Sequence, residues 1–480
     1  MMSFFGALII LIVGYFTYGR WVDKHFGVDP NRPTPAITNR DGVDFVPLPW
    51  HKIFLIQFLN IAGLGPIFGA ILGALYGPVA FLWIAFGCVF GGAVHDYFSG
   101  MLSVRHGGKS IPEIVGHYLG ENTRKLMRGF SVILLILVGV VFMMGPAGLL
   151  ANLGMTGIFA NTSFWLAIIL TYYFIASILP VDKLIAKIYP LFGVTLLIMA
   201  FGVGGMLVID GLPIPELTDS ISNPNGLPAW PMLFVTIACG AISGFHATQS
   251  PMMARCLPSE TYGRRVFFGA MIAEGVVALV WAAAAMAFFP NGVVGLNEVI
   301  NQGGAGLVVK EVSVGLMGQI GGMLAILGVV ACPITSGDTA FRSVRLIFAD
   351  ALHMPQNGIR ERLMLAVPVF AVGFALTFVD FNIIWRYFAF SNQTLATIVL
   401  WTGAMFMVCN NKSHWLASLP ATFMTAVCST YILMAPEGLG LSSTFAYPAG
   451  AIASVAALFW FLTVASRKSM VLNEVTDQPN

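Results

Sequence analysis

The sequence predicts an all-α integral membrane protein with about 13 transmembrane helices. Hydrophobic residues make up 57% of the 480 residues, and charged residues only 10%. Soluble domains carry roughly a quarter of charged residues, so this composition cannot cover the surface of a soluble protein. Apolar runs of about 20 residues, long enough to cross the hydrocarbon core of a bilayer, recur along the chain with short polar segments between them. We therefore expect essentially the whole protein to be membrane domain.

The apolar runs divide the chain into four predicted parts. Residues 1–52 hold one extra helix and a loop, and because this helix lacks the basic start and cleavage site of a signal peptide, we predict that it is retained. Residues 53–209 and 230–408 hold five helices each, and residues 409–480 hold two peripheral helices and a cytoplasmic tail. Because five is an odd number, the second block enters the membrane with the opposite orientation, as in transporters built from inverted repeats.

The distribution of basic residues predicts the orientation of the chain. If the amino terminus is outside, all of the 24 Lys and Arg residues except Lys310 and Arg386 fall in inside loops. The outside loop 210–230 has only acidic charges. Basic residues collect on the cytoplasmic side of membrane proteins. We therefore predict a multi-pass protein with its amino terminus outside and its carboxyl terminus in the cytoplasm.

Two glycine-rich stretches, 65–69 and 240–244, share the pattern G-x-I-x-G and lie near the start of the second and third of these parts. Such stretches inside spanning helices favour a break, and unpaired backbone groups are tolerated in a bilayer only where they line a cavity. A half-helix that starts there presents free N–H groups and a partial positive charge, which suit a small carboxylate. The alternative is that these glycines allow close helix packing. We predict two broken helices that enclose a binding site.

Ionisable residues inside membrane segments are costly, and they are therefore candidates for function. Asp96 and Glu274 are candidates for carrying a coupling proton or binding a cation. The alternative for Asp96 is an anchoring pair with His95 or with loop arginines. His246 follows the second glycine stretch by two residues, where an imidazole can contact a bound carboxylate or titrate near neutral pH. Its alternative is a structural hydrogen bond.

A second group of candidates consists of hydroxyl, carboxylate and amide side chains: Thr335, Ser336, Asp338, Asn392 and Gln393. The oxygens of the first three suit a hard monovalent cation. Hydroxyls also bond to helix carbonyls, and Asp338 stands four residues before Arg342, which allows an ordinary ion pair on a helix. Asn392 and Gln393 are buried amides that need partners, either in a substrate or on another helix.

Several familiar motifs fail in this chain. Residues 107–110 end like a phosphate-binding loop, but Ser103 stands where that motif requires its first glycine. The patterns H-E-x-x-H and G-x-S-x-G are absent from the sequence, as is the selectivity-filter pattern T-V-G-Y-G. The six cysteines have neither paired nor metal-ligand spacing. We predict no catalytic residue, no bound metal, no cofactor and no nucleic-acid partner.

Several stretches between residues 61 and 396 resemble the carbon starvation protein A family of bacterial transporters. They are 61–66 with Gly69, 92–94 with Asp96, 236–247, Asp338 with Arg342, Arg345 and Asp350, and Trp385 with Asn392, Gln393, Leu395 and Ala396. The resemblance implies a fold of the amino acid, polyamine and organocation superfamily. That fold is a five-plus-five inverted repeat like that of the leucine transporter, with two broken helices.

The resemblance also implies import of pyruvate or short peptides across the bacterial cytoplasmic membrane during carbon starvation, coupled to protons or sodium. By matching positions it implies the substrate-binding residues Ala62, Gly63, Gly65, Pro66, Gly240, Ser243, Gly244, His246, Asn392 and Gln393. Thr335 and Ser336 match the place where many members of the superfamily hold a sodium ion. The chain departs from the pattern at His95, where glutamine is expected, and it is shorter than the long members, which leaves the substrate and the coupling ion open.

We therefore expect a secondary active transporter that works by alternating access, with the lipid bilayer and a small organic acid or peptide as its partners. A coupling ion drives transport only if it stabilises one conformation more than the other. Two alternatives belong to other classes. One is a membrane-embedded enzyme that uses Ser243 or His246, and the other is an uncoupled channel or nutrient sensor. The sequence leaves the oligomeric state open.

Overall fold

The computed structural model describes residues 1–42, 44–153, 156–178, 185–352, 354 and 358–476, and every regular element in these ranges is a helix. The α-helices, in chain order, are α1 (Met2–Phe16), α2 (Tyr18–Phe26), α3 (Pro35–Thr38), α4 (Trp50–Ile61), α5 (Ala70–Gly73), α6 (Val79–Leu82), α7 (Ala93–Arg105), α8 (Ile111–Leu119), α9 (Glu121–Ala151), α10 (Thr162–Ile178), α11 (Ile185–Ile209), α12 (Ala229–Thr236), α13 (Gly244–Ala254), α14 (Gly269–Phe288), α15 (Val293–Ala351), α16 (Ile359–Leu376), α17 (Phe381–Cys409), α18 (Trp415–Met434) and α19 (Ser443–Thr476). Three π-helical segments join them, at Gly65–Gly69, Trp83–Gly92 and Arg264–Phe268.

The described helices confirm a multi-span membrane protein. Eight of them are long and apolar enough to cross a bilayer, and the number rises to 10 if each of two bent helix pairs counts as one span. One pair is Trp50–Ile61 with Gly65–Tyr76, and the other consists of two pieces of α15, Val293–Met323 and Ala325–Ala349, which are bent by 75°. α10 is apolar but shorter. The expected number of about 13 spans therefore stays a prediction. Many large apolar side chains on these helices point outward, as a surface in contact with lipid requires.

The first predicted break is present. α4 ends at Ile61, and a π-helical turn begins at Gly65 after three residues that are not helical. The two pieces are bent by 56°. Pro66 lacks a backbone N–H and Gly65 lacks a side chain, so neither opposes the loss of regular helical bonding here.

The second predicted break is present as well. α12 ends at Thr236 and α13 begins at Gly244, with residues 237–243 outside any helix. Ser243, the residue before α13, is fully extended, with φ −144° and ψ 121°. Both predicted interruptions are thus present, whereas the prediction that they are two broken spanning helices enclosing a binding site stays a prediction. That the two five-helix blocks form an inverted repeat, and that the chain divides at 52, 209, 230 and 408, stay predictions.

The two breaks touch each other in the core. A Cβ placed on Gly65 would lie 2.1 Å from the Cys239 Cβ, so the absence of a side chain at Gly65 is what permits this contact. Gly240 makes a similar approach, because its Cβ would lie 2.5 Å from the Ala278 Cβ and 3.7 Å from the Pro66 Cα. The breaks are surrounded by α7, α9, α14, α15 and α17.

Glu260 and Arg105 form a buried ion pair, here called the polar clasp, that holds the residues just after α2. Glu260 is fully buried, and its carboxylate accepts hydrogen bonds from the Arg105 guanidinium at 3.1 and 3.2 Å and from the Asp29 backbone N–H at 3.0 Å. The same guanidinium donates to the Gly27 carbonyl at 2.6 Å and lies 4.3 Å from the centre of the Phe26 ring. This clasp ties the segment after α2 to the end of α7 and to the start of the span that contains α14.

Candidate functional site

Three helices bring four ionisable side chains together in the protein interior. α7 carries His95 and Asp96, α13 carries His246 just after the second break, and α14 carries Glu274. All four side chains are fully buried. Ionisable groups in such a place are costly unless they are paired, so their grouping needs a reason beyond packing.

Asp96 lies at the centre of this group. One carboxylate oxygen is 2.8 Å from His95 Nδ1, and the other is 2.9 Å from His246 Nδ1. An ionised carboxylate only accepts hydrogen bonds, so each imidazole carries a proton on Nδ1 and donates it to Asp96. The anchoring pair of Asp96 with His95 and the bond to His246 are therefore both present.

Glu274 faces the other nitrogen of His246. Its Oε2 lies 3.3 Å from His246 Nε2, with all of these atoms buried. Because Nδ1 already carries a proton, a neutral imidazole presents a lone pair at Nε2, and an ionised Glu274 also presents lone pairs. Two acceptors at this distance repel each other, so one proton belongs on either His246 or Glu274. The pair forms a buried site that can take up and release a single proton.

Unsatisfied polar atoms mark the same place. Among the described residues, His95 Nε2 and Glu274 Oε1 have no hydrogen-bond partner, and Glu274 Oε2 and His246 Nε2 have only each other, at 3.3 Å. Buried polar atoms in folded proteins nearly always have such partners. The site therefore has unused hydrogen-bonding capacity for a proton, a water molecule or a polar ligand.

Asn392 on α17 closes the second break. Its Oδ1 accepts from the Phe245 backbone N–H at 2.6 Å and from Ser243 Oγ at 3.1 Å, and its Nδ2 donates to Cys239 Sγ at 3.3 Å. Gln393 donates from Nε2 to the carbonyl of Phe234 on the other half-helix, at 2.7 Å. Both amides thus bond between helices, and the amino terminus of α13 is held by a neutral oxygen that an incoming carboxylate could replace.

The first break is closed by α15. The carbonyls that α4 leaves unpaired at its end accept from two side chains of that helix. Ser336 Oγ lies 3.3 Å from the Leu59 carbonyl and 3.2 Å from the Asn60 carbonyl, and Cys332 Sγ lies 2.9 Å from the Ala62 carbonyl. Thr335 Oγ1 donates to the Cys332 carbonyl at 2.7 Å. Hydroxyl and carbonyl oxygens are therefore concentrated at this break.

The structure separates the predicted site residues into groups. Asp96, His246 and Glu274 form one group, which Cys239 and Asn392 connect to Ser243 and the start of α13. Ala62 and Ser336 lie at the first break, and Thr335 bonds to the Cys332 carbonyl of its own helix. Gly63, Gly65, Pro66, Gly240 and Gly244 are buried in the two breaks. Asp338 accepts from the Tyr172 hydroxyl at 2.9 Å.

Sequence reasoning missed two residues. Cys239 has neither paired nor metal-ligand spacing in the sequence, yet its Sγ lies within 4.8 Å of ligand atoms of His246 and Glu274. Trp83 was not considered, and its indole N–H donates to the Ile237 carbonyl inside the second break at 3.0 Å. The position of Cys239 directly before the G-x-I-x-G stretch was the available signal for it. Thiol, imidazole and carboxylate are also metal ligands, so the prediction of no metal stays a prediction.

Comparison with known proteins places the chain in a family. The model of the family described as carbon starvation protein CstA matches residues 1–158 and 148–302. The chain belongs to this family. An uncharacterized membrane protein of Haemophilus influenzae is 45% identical over 341 residues, which cover 61% of this chain and 92% of that protein.

Two named relatives are transporters. The peptide transporter CstA of Campylobacter jejuni is 32% identical over 62% of this chain and 51% of its own length. The pyruvate/proton symporter BtsT of Escherichia coli is 28% identical over 63% of this chain and 50% of its own length. The chain thus spans about half the length of these two relatives. The family and its named members are transporters rather than enzymes, which sets aside the membrane-embedded enzyme.

Solved structures show the same kind of fold. A mutant form of the manganese transporter of Eremococcus coleocola matches with a TM-score of 0.53, covering 88% of this chain and 98% of that one. Since the two sequences are only 12% identical, the likeness concerns the fold alone.

Proposed function

We propose that this protein is a proton-coupled secondary transporter that imports a small organic acid such as pyruvate, or a short peptide. The observation that carries the proposal is the buried chain from Asp96 through His246 to Glu274, directly beside the second helix break. These three side chains supply a group that binds one proton. His246 lies in the first turn of α13, at whose start a substrate would replace the Asn392 side chain. The family membership and the names of the relatives also support a transporter.

The coupling follows from the position of His246. The imidazole belongs to the first turn of α13, so a movement of that half-helix changes its distances to Asp96 and Glu274. A proton shared by His246 and Glu274 stabilises the conformation in which the two are close. A transporter can use a proton only through such a difference between its conformations.

The substrate site in this proposal lies at the start of α13. A carboxylate that replaced the Asn392 side chain there would gain the Phe245 N–H and the Ser243 hydroxyl as donors. Helix amino termini favour such anions. Because the two breaks are in contact at Gly65 and Cys239, the described conformation is closed around this position, and a substrate must separate them. A small solute requires the least separation.

Sodium is the second candidate for the coupling ion, and one observation favours it. Ser336 Oγ lies beside the carbonyls of Leu59 and Asn60, and Thr335 precedes it in α15. Hydroxyl and carbonyl oxygens are the ligands that hard cations prefer. In this conformation both hydroxyls donate to carbonyls, so they would have to turn before they could accept a cation.

Reconstitution tests the proposal. Sealed proteoliposomes receive labelled pyruvate or labelled dialanine under an imposed proton gradient, an imposed sodium gradient, or neither. Accumulation above the outside concentration with the proton gradient alone is the expected result. Accumulation that requires the sodium gradient would indicate that the coupling ion is sodium and binds at the first break. If the solute only equilibrates across the membrane, the uncoupled channel is supported. Conversion of the solute into a product without accumulation would support the alternative of a membrane-embedded enzyme.

The same proposal includes a location. The chain lies in the bacterial cytoplasmic membrane with its amino terminus outside and its carboxyl terminus inside. Reporter enzymes fused to the loop 210–230 and after residue 476 test this orientation, since alkaline phosphatase is active only outside the cytoplasm. The opposite pattern of reporter activity would reverse the orientation.

A further inference from the structure

An apolar groove runs along the outer surface of the described helices. Its volume is about 910 Å³. The Trp83–Gly92 segment and α6 form one wall, α18 forms the other, and α12 lies between them. Leu82, Phe86 and Phe90 on the first wall, and Leu419 and Phe423 on the second, all expose more than a third of their surface. The groove therefore opens toward the lipid.

The length of the groove matches one leaflet of a bilayer. Its first wall extends from Val79 to Gly91, which is at most roughly 18 Å at the ~1.5 Å rise per residue of an α-helix, and somewhat less because most of this wall is π-helical. Half of a hydrocarbon core of ~30 Å is about 15 Å. An extended acyl chain from one leaflet can thus lie along the whole groove.

One end of the groove is aromatic and basic. Tyr18 and Trp21 of α2 and Trp415 at the start of α18 line this end. Lys24 stands one helical turn after Trp21, and Arg20 stands directly before it and is exposed. Trp and Tyr collect at the level of lipid headgroups, and Lys and Arg beside them attract anionic lipids.

The acidic residue of α2 does not cancel this charge. Asp23 is only partly exposed, and its carboxylate accepts from the Tyr97 hydroxyl at 2.7 Å, on the side of α2 that packs against α7. His25 stacks on Trp21, with the ring centres 5.2 Å apart, and its Nε2 lies 3.0 Å from the Ser413 carbonyl. Arg20 and Lys24 are exposed and stand on either side of Trp21 in α2, so this end of the groove has two positive charges nearby, with the Arg20 guanidinium 5.9 Å from the centre of the Phe16 ring.

We propose that this groove binds one anionic glycerophospholipid, with an acyl chain along the groove and the phosphate beside Arg20 and Lys24. The groove suits an amphiphilic ligand, since it is apolar along its length and has basic residues near one end. A helix of a second copy fits less well, because close helix contacts in membranes depend on accessible small residues. Gly87 and Gly91 line the groove but are buried, Gly87 beside the Trp83 ring, and the exposed residues of both walls are large. The lipid inference stands independently of the transported solute and the coupling ion.

The bound chain would contact the second helix break. Trp83, Leu233 and Phe234 line the groove, and Trp83 also donates to the Ile237 carbonyl inside the break. Phe234 accepts from Gln393 through its backbone carbonyl. An acyl chain in the groove thus packs against the half-helix α12 and helps to hold it in the described position.

Native mass spectrometry of the full chain tests the lipid site. The protein is purified in detergent micelles supplemented with either phosphatidylglycerol or phosphatidylcholine, and the lipids that remain bound are counted. The wild type is expected to retain one phosphatidylglycerol and little phosphatidylcholine. Leu419→Trp, which fills the groove from an exposed position, should reduce retention roughly tenfold. Leu82→Trp fills the groove from the opposite wall and should reduce lipid retention to a similar extent.

Two further variants complete the test. Leu327→Trp is the matched control, because Leu327 is an exposed leucine of α15 outside the groove, and it should retain lipid as the wild type does. The double variant Arg20→Gln, Lys24→Gln should bind both lipids equally, since it loses the charge preference. Equal retention of both lipids by the wild type, unchanged retention in both groove-filling variants, or a dimer that these variants abolish would overturn the proposal.

Discussion

His246 and Asp96 are joined by a contact of 2.9 Å between Nδ1 and Oδ2, which links α13 to α7 in the buried core. The contact fixes which nitrogen of His246 carries a proton, and it leaves Nε2 directed at Glu274. A carboxylate bonded to one ring nitrogen in this way sets the orientation and tautomer of an imidazole. In the proposed mechanism the two carboxylates therefore have different roles, because Asp96 positions the imidazole and Glu274 shares its proton.

The first prediction concerns Glu274. Glu274→Gln keeps the size of the side chain but removes the exchangeable proton, so His246 can no longer share one across the 3.3 Å contact. We expect proton-driven accumulation of the solute to be lost, while exchange of labelled for unlabelled solute across proteoliposomes continues. Exchange needs the conformational change but no net proton movement.

Glu298→Gln is the control for this variant, since Glu298 is an exposed carboxylate and its loss should change neither measurement. If Glu274→Gln still accumulates solute under a proton gradient, Glu274 does not carry the coupling proton. If both accumulation and exchange disappear while the protein remains in the membrane, its role is structural.

Local patterns predicted the breaks well, because glycine and proline act where they stand in the sequence. The contacts between the breaks could not be predicted in this way. Asn392 meets Ser243 and Cys239 only because α17 crosses the second break, and nothing in the neighbouring sequence of Asn392 indicates that crossing. The same holds for Glu274, whose apolar surroundings in sequence conceal that it faces His246.

The second prediction concerns the contact between the breaks. Gly65→Ala would place a methyl group 2.1 Å from the Cys239 Cβ, so the two breaks must move apart. Overpacking of this kind costs about 1–3 kcal/mol. We expect a lower thermal unfolding temperature in detergent and strongly reduced uptake.

Gly148→Ala is the matched control, because nothing lies within 4 Å of a Cβ at this α9 glycine, and it should be neutral. Cys239→Gly removes both atoms that the new methyl group would strike. The double variant Gly65→Ala, Cys239→Gly should therefore recover part of the lost stability. No recovery would mean that the backbone around Gly65, rather than the contact, is what the methyl group disturbs.

The third prediction concerns the polar clasp. Glu260→Gln removes the charge that faces Arg105, while Arg105 remains largely buried beside the Phe26 ring. Removing one partner of a buried pair typically costs about 3–5 kcal/mol. We expect a large drop in the unfolding temperature. Glu121→Gln breaks the exposed pair with Arg124 and should leave the unfolding temperature almost unchanged, because solvent screens such pairs. Equal effects of the two variants would contradict the burial of the clasp.

The fourth prediction concerns pH and Glu113, which lies on the short helix α8 outside the membrane spans. Partial burial raises the pKa of Glu113, but its hydrogen bond with Arg128 and the charges of Arg128 and Arg124 more than offset this, so the pKa lies below its ordinary value of 4.5. Since the folded state has the lower pKa, the contact stabilises the protein above pH 4.5 and loses this effect as the pH falls further.

Hydrogen exchange of the α8 backbone should therefore accelerate relative to that of α9 as the pH falls below 4.5, after correction for the intrinsic exchange rate. Glu113→Gln should exchange faster in α8 at neutral pH and show little further change on acidification, because it has no carboxylate to protonate. The effect will be modest, since both partners of the contact are about a third exposed. A wild-type α8 whose corrected exchange is the same above and below this pH would show that the two arginines do not hold α8 against α9.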